Sequence, residues 1–537
     1  INLNAEPEIA NFPYGKKSII GYEKPFLGNR KNEGFYTRYY YEHPADCSRI
    51  NRLFNLENKH LFKNEILWGK RYSNKYYLTA KEDLAIPISG FNQFNQRIKI
   101  CKFKENSKTE ANIIINSQRY TYLNLDRNER IEITSSEDFL VANTIRKNLE
   151  QNNHCKLVLF LFVDGLYDFS KIDLQSLKEI MPKTYRFFSK GTIFNEHRAN
   201  ADWTLASFPS LFSGLYTQGH GFFHPTKKHE IGNGYKTLGQ IFQDNDFLTF
   251  QAGGGWRMNP AYGYSKGFDR TIYRKELDCK EVINEFFENH RSFPERNHFS
   301  WLNLNDLHHF TKITPSIMSQ LNLNFDYLKE NSKKNKKSVF SDYDPIKIQI
   351  LIQEMKRLDF YLDQIFNYVE KEFSENEFIV TLVTDHGHAF LDNAKNVLSV
   401  SRNSIPWFLR GRHIPESVSD ELTENVDVFQ TLVEKCELKT DIPSNDGNLP
   451  VVLGGLEKRE YTFAQSIYPN QTYKSTIKDK KYEFFFETDD LVSEEGKFNI
   501  KPNKCTFNFL NSSKEAKDNN LFNRYKEICM NNAESWN

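Results

Sequence analysis

The pattern of apolar and polar positions changes twice along this chain. Up to about residue 150, apolar side chains recur at every second position over short stretches. Arg97-Ile-Lys-Ile-Cys-Lys-Phe103, Ala111-Asn-Ile-Ile-Ile115 and Arg130-Ile-Glu-Ile-Thr134 are the clearest, with polar turns between them. A period of two puts alternate side chains on one face of a strand, so residues 1–150 read as a mostly β accessory domain. Its expected role is structural, with glycan or partner binding as the alternative. From Lys156 the alternation gives way to continuous apolar runs. Residues 156–163 predict a buried strand that ends in Asp164-Gly165, and 247–251, 298–304 and 377–384 predict others. Residues 237–243 and the long amphipathic run 345–373 predict helices between them. Strands alternating with helices imply an α/β fold, a mostly parallel sheet with helices on both faces. After about Arg459 short strands return at 481–486 and 506–510, which predicts a small C-terminal β subdomain. The expected division is therefore 1–150, 151–475 and 476–537. Residues 311–344, with Lys333-Lys-Asn-Lys-Lys337, read as a polar insertion loop whose basic run is solvated surface.

Composition narrows the partners. The chain of 537 residues has a net charge of +1, which gives no electrostatic case for nucleic acid or an anionic membrane. Its longest purely apolar run, Leu157-Val-Leu-Phe-Leu-Phe-Val163, is far short of the roughly 20 residues that span a bilayer. No N-terminal stretch reads as a signal peptide, so the expectation is no transmembrane segment and a cytoplasmic location. The 7 cysteines are odd in number and never form Cys-x-x-Cys, which argues against a disulfide framework or a zinc ribbon. Aromatics at 15% suit stacking on sugars, though a biased genome yields the same composition.

Candidate chemistry sits at the strand ends, where open α/β sheets bind their ligands. Asp164, Asp306 and Asp385 each lie at or just after a predicted strand. Thr204 opens a Ser/Pro/Gly-punctuated apolar run between Asp202 and Gly221, and Thr384-Asp-His-Gly-His388 sets a carboxylate beside an imidazole. A divalent cation that activates a hydroxyl needs anionic oxygens, often one imidazole, and an open position. Asp164, Thr204, Asp385 and His386 supply that set. Singly each has a structural reading, since Asp-Gly after a strand makes a turn and Asp-His-Gly starts a helix. Their joint placement at strand ends points to a site.

With these residues in view, the region from Lys156 to Ser475 resembles the alkaline phosphatase/sulfatase superfamily. The sulfatase signature, a Cys-x-Pro-Ser-Arg-Ala-Ser-Leu-Leu-Thr-Gly-Arg-like run, matches at Gly214, Leu211 and Ser210, with Ser213 and Phe212 similar. Thr204 then falls at the catalytic Cys position. Thr237-Leu-Gly-Gln-Ile-Phe242, Gly255-Trp-Arg257 and Lys266-Gly-Phe-Asp269 are further similar elements in the same order. The signature's Pro and Arg are replaced by Ala206 and Phe208, and Thr cannot be oxidised to the formylglycine aldehyde that sulfatases use. The pattern is similar to single-metal, Thr-nucleophile phospho-group transferases, of the lipoteichoic acid synthase and phosphoethanolamine transferase kind.

That resemblance implies a function and the roles within it. Two-zinc members place a His four residues after the Asp, whereas Asp306 is followed there by Phe310, so one divalent metal is expected, Zn or Mn ahead of Mg or Ca. The resemblance makes Thr204 the nucleophile, His308 a stabiliser or proton donor, and Arg257 a phosphate clamp. Asp306, His309, Trp256, His224 and His388 are expected around the substrate. The implied activity is a phospho-group transferase or phosphodiesterase working through phospho-Thr. It would use a phosphorylated small-molecule or nucleotide-linked donor and a glycan acceptor such as a bacterial surface or capsule polysaccharide. Two alternatives are kept: a sulfatase-like hydrolase of phosphate or sulfate esters, and an inactive glycan-binding protein on the same fold.

Overall fold

The computed structural model describes residues 33–40, 63–91, 95–105, 107–117, 119–149, 155–172, 174–224, 231–232, 234–274, 277–309, 316–323, 341–392, 396–441 and 445–536. Two compact units divide the chain. Ile1–Lys156, Phe242–Leu277 and Asn284–Trp301 make the first, and Leu157–Ile241, Asp278–Ile283 and Leu302–Asn537 the second. The class is α/β, with a large, mostly parallel central sheet, helices, and two small antiparallel sheets.

The strands of the N-terminal region are β1 (Glu33–Tyr40), β2 (Lys63–Tyr72), β3 (Lys75–Thr79), β4 (Leu84–Gly90), β5 (Gln96–Lys104), β6 (Ser107–Ile115), β7 (Thr121–Leu125), β8 (Arg130–Thr134), β9 (Phe139–Ala142) and β10 (Ile145–Arg146). Then follow β11 (Leu157–Val163), β12 (Thr192–Arg198), β13 (Leu248–Gly253), β14 (Arg270–Tyr273), β15 (His298–Leu304), β16 (Phe378–Val383), β17 (Trp407–Gly411) and β18 (Ser417–Glu424). The last four are β19 (Thr462–Ser466), β20 (Thr472–Lys478), β21 (Tyr482–Leu491) and β22 (Pro502–Phe509).

In the first unit the three period-two stretches fall on β5, β6 and β8. β3, β8, β5 and β6 form one antiparallel sheet. Its inward Ile98, Ile100, Ile131 and Ile133 pack with Leu84, Ile86 and Ile88 of β4, so the alternation in sequence is the alternation between core and solvent. β13 and β14 pair in parallel, and β14 runs antiparallel to β2. A buried charge cluster joins these elements. Arg270 reaches Glu65 at 2.6 Å and Glu285 at 3.5 Å, Lys63 reaches Glu285 at 2.6 Å, and the Tyr122 hydroxyl donates to Glu65 at 2.8 Å.

In the second unit the strand order is β11-β16-β17-β12-β18. β11 pairs in parallel with β16, and β12 with β18, while β17 is antiparallel to both its neighbours. Every side chain of β11 is apolar and buried, as expected of a strand covered on both faces. Five helices matter here: α1 (Pro182–Phe188), α2 (Thr204–Ser213), α3 (Pro345–Glu372), α4 (Asn425–Lys435) and α5 (Asn519–Glu534). The amphipathic run predicted at 345–373 is α3, started by Asp344, whose carboxylate accepts from Ile346 and Lys347 N–H at 3.1 and 3.2 Å. Asp359 of α3 accepts in turn from Lys183 and Thr184 N–H at the start of α1, and Phe366 stacks on Phe187.

α2 is buried along its whole length and ends at Gly214, in the left-handed region at φ +68. A Cβ there would come within 2.6 Å of the Phe429 ring on α4, so only glycine permits this approach. The small C-terminal sheet β19-β20-β21-β22 begins at Thr462 and shares a core with α5, through Phe484, Phe507, Tyr525 and Cys529. The insertion expected at 311–344 lies mostly outside the described residues. No helix among the described residues is long and apolar enough to cross a membrane.

Candidate active site

The chain turns sharply after β11. Asp164 donates its N–H to the Leu304 carbonyl at 3.0 Å, and Gly165 follows at φ +80. A Cβ on Gly165 would sit 2.6 Å from the His388 ring, so this Asp-Gly turn is a close approach as well as a bend. The Thr384 hydroxyl, at the end of the neighbouring β16, accepts from Gly165 and Leu166 N–H at 3.1 and 3.2 Å. Two parallel strand ends are pinned together in this way, and their carboxylates, Asp164 and Asp385, emerge at one edge.

Thr204 is the first residue of α2 and is fully buried. Its Oγ1 lies 3.1 Å from His386 Nε2. His386 Nδ1 lies 2.7 Å from the Gly387 carbonyl, which only accepts, so Nδ1 carries the proton. The ring's other nitrogen, Nε2, faces Asp385 Oδ2 at 3.2 Å. Among the described residues, nothing donates a hydrogen bond to Asp385 Oδ2. A carboxylate oxygen and an imidazole nitrogen at that distance in a buried site are bridged by a proton or by a cation. Ligand atoms of Asp164, His308 and His386 also lie within 4.8 Å of one another, a spacing that suits a single metal ion. Two imidazoles with carboxylates form a mixed nitrogen and oxygen donor set, so the residues present fit a divalent cation.

The structure brings together Asp164, Thr204, Asp385, His386 and His308, all within the second unit. His308, expected to face substrate, has its ligand atom within 4.8 Å of those of Asp164 and His386, where it would serve the same ion. Asp306 instead pairs with Arg357 of α3 at 2.6 Å; burial pushes its carboxyl up and Arg357 opposes that shift. His388 stacks on Phe390, with centroids 4.7 Å apart, and burial lowers its pKa to about 3, which holds it neutral. His224 lies beside Trp203 and Tyr468, at 6.1 and 5.4 Å, next in sequence to the start of α2 through Trp203. Arg257 and Trp256 lie on a short turn of the first unit, Trp256–Met258, where Arg257 is buried. His309 ends the single helical turn Asp306–His309.

Sequence reasoning passed over three buried residues that hold the site. Thr384 precedes Asp385 in the same motif and braces the turn after β11. Ser207 of α2 donates to the Asp385 carbonyl at 2.7 Å, and Asn425 of α4 donates to Ser207 at 3.2 Å. Only Ser207 carried a signal, its place one helical turn after Thr204 and therefore on the same face.

An α/β sheet with an acid-imidazole-hydroxyl cluster at its strand ends defines a metal-dependent esterase class, and the comparisons place the chain within it. A family model described as Sulfatase matches residues 156–435, and the chain belongs to that family. It is thus an enzyme of the sulfatase/alkaline phosphatase superfamily, hydrolases of sulfate or phosphate esters. Among solved structures it is similar to a protein crystallised with its substrate D-glucosamine-2-N,6-O-disulfate (TM-score 0.51, 11% identity, covering 71% of this chain and 98% of that one). It is also similar to an alkaline phosphatase superfamily protein from Vibrio parahaemolyticus (TM-score 0.50, 16% identity, 72% and 88%). A third is the phosphonate monoester hydrolase of Silicibacter pomeroyi (TM-score 0.50, 12% identity, 70% and 95%). At these identities the likeness is one of fold. No curated protein sequence matches the chain.

Proposed function

We propose that the second unit transfers or hydrolyses a phosphate ester through a covalent phosphothreonine at Thr204. The observation that carries this is the Thr204 hydroxyl at the first turn of α2, 3.1 Å from His386 Nε2. Its β-carbon bears a methyl, so oxidation would give a ketone and never the formylglycine aldehyde. The hydroxyl itself must act. Asp164, Asp385, His386 and His308 would hold one divalent cation with Thr204 Oγ1, and the nitrogen donors favour Zn or Mn over Mg or Ca. The chemistry a cation supplies in such a donor set is acidification of the hydroxyl and neutralisation of the ester's charge.

Thr204 Oγ1, losing its proton to water, attacks phosphorus in line with the leaving oxygen. The bond to that oxygen breaks, and water protonates it. The hydroxyl of water or of an acceptor then attacks the phosphothreonine; the P–Oγ1 bond breaks and Thr204 is restored. A sugar acceptor is favoured by the rings of Trp203, His224 and Tyr468 beside the start of α2, which suit a ring-bearing group. The donor would be a phosphorylated small molecule or a nucleotide-linked group. Direct hydrolysis of sulfate esters is the second reading, and the Sulfatase family match favours it.

Mass analysis after incubation with phosphodiesters and nucleotide-linked donors tests the proposal. A donor-derived mass on Thr204, lost when acceptor is added, is expected. Turnover retained in Thr204→Ala overturns the nucleophile. Faster cleavage of sulfate than of phosphate esters selects the second reading. Absence of bound metal, with no activity restored by Mn or Zn, would leave a binding protein on an enzyme fold.

A further inference from the structure

A line of buried hydrogen bonds runs from the edge of the second unit's sheet to the backbone of the candidate metal ligands. His197 of β12 and Thr423 of β18 are register partners, and His197 Nδ1 lies 3.0 Å from the Thr423 hydroxyl. His197 Nε2 lies 2.9 Å from Asn425 Oδ1. Asn425 Nδ2 reaches Ser207 Oγ at 3.2 Å, and Ser207 Oγ reaches the Asp385 carbonyl at 2.7 Å. None of the four side chains is more than 1% exposed.

The direction of every bond follows from its last acceptor. A carbonyl cannot donate, so Ser207 gives its only proton to Asp385. Ser207 Oγ is then left to accept, which requires the Asn425 amide nitrogen to face it. A reversed amide would set two acceptors against each other. Asn425 Oδ1 therefore faces His197, whose Nε2 must carry the proton, while Nδ1 accepts from Thr423. Burial lowers the His197 pKa to about 3, so the ring is neutral and this tautomer is the only one that satisfies every partner.

The line crosses α4 and α2, passes through Ser207 one helical turn after Thr204, and ends on Asp385, one residue from His386. It sets the Asp385-His386 turn against the helix that carries the hydroxyl. We infer that Ser207, Asn425 and His197 are positioning residues that hold this turn in its metal-binding geometry. The inference rests on the proposal that Asp385 and His386 bind a divalent cation. Partners of this kind are worth about 10–100-fold in metal affinity.

The test is the affinity of the full-length protein for Zn and Mn, by competition with a chelator. Ser207→Ala is expected to weaken binding about 10–100-fold. Ser213→Ala is the control. Its hydroxyl donates to the Pro209 carbonyl within the same helix, and it should bind as wild type does. His197 supplies a second pair of variants should Ser207→Ala fail to fold. His197→Gln keeps a donor for Asn425 and should retain affinity, whereas His197→Leu removes it and should weaken binding. Equal affinities for wild type and Ser207→Ala, or for the two His197 variants, overturn the positioning role while leaving the metal centre standing. A wild-type protein that binds neither ion overturns the metal centre and the positioning role with it.

Discussion

Two buried clusters of carboxylates, one in each unit, differ in how their charge is balanced. In the first unit Glu65 and Glu285 meet Arg270 and Lys63, two cations for two anions, with Tyr122 donating to Glu65 as well. In the second unit Asp385 faces the Nε2 nitrogen of His386, with Asp164 and His308 close by and Thr204 as the hydroxyl. The first cluster is complete with the protein's own groups. The second is arranged so that a cation from outside would complete it. Both clusters are buried and both hold carboxylates, so neither property marks a site; the balance of donors against acceptors does.

Breaking each cluster should therefore have opposite consequences. Asp385→Ala carries the largest expected effect: turnover falls by about three orders of magnitude and bound metal is lost. The metal-free variant should unfold no earlier than metal-free wild type, because an uncompensated carboxylate has been removed. A variant that keeps its metal, or one clearly less stable than metal-free wild type, would place Asp385 with the structural charges. Arg270→Met should behave in reverse. It leaves Glu65 and Glu285 buried with one cation fewer, which costs about 3–5 kcal/mol of stability. The folded fraction should still bind metal with wild-type affinity, as read by denaturant unfolding alongside metal titration.

The smallest effect concerns pH and the neutral imidazole behind the site. The pKa of His197 is lowered by burial to about 3 from an ordinary 6.5, so the folded state takes up its proton far later than the unfolded state does. Its contribution to stability is then full above about pH 6.5 and lost as pH falls toward 3. Between pH 6.5 and pH 5 the loss is about 2 kcal/mol, at 1.36 kcal/mol per pH unit. His197→Gln should remove that part of the pH dependence. An unchanged slope of unfolding midpoint against pH would show that the ring does not titrate on unfolding.

The sequence by itself determined the local elements and the residue types at their ends. The runs at 156–163, 298–304 and 377–384 became β11, β15 and β16 because apolar periodicity is a local property that burial rewards wherever the strand finally lies. Asp164, Thr204, Asp385 and His386 were legible because turns and helix starts demand particular residues at those points. Tertiary structure alone decided which of these side chains meet. Asp306 looked equivalent to Asp164 and Asp385 as a strand-end carboxylate, yet Arg357, 51 residues away, takes it into an ion pair. His308 gained ligand distance to His386, and Ser207 found the Asp385 carbonyl 178 residues further on. Such pairings depend on strand order and helix packing, and a linear pattern does not encode them residue by residue. That is why the chemistry of the ligands was visible from the chain and the scaffold that aims them was not.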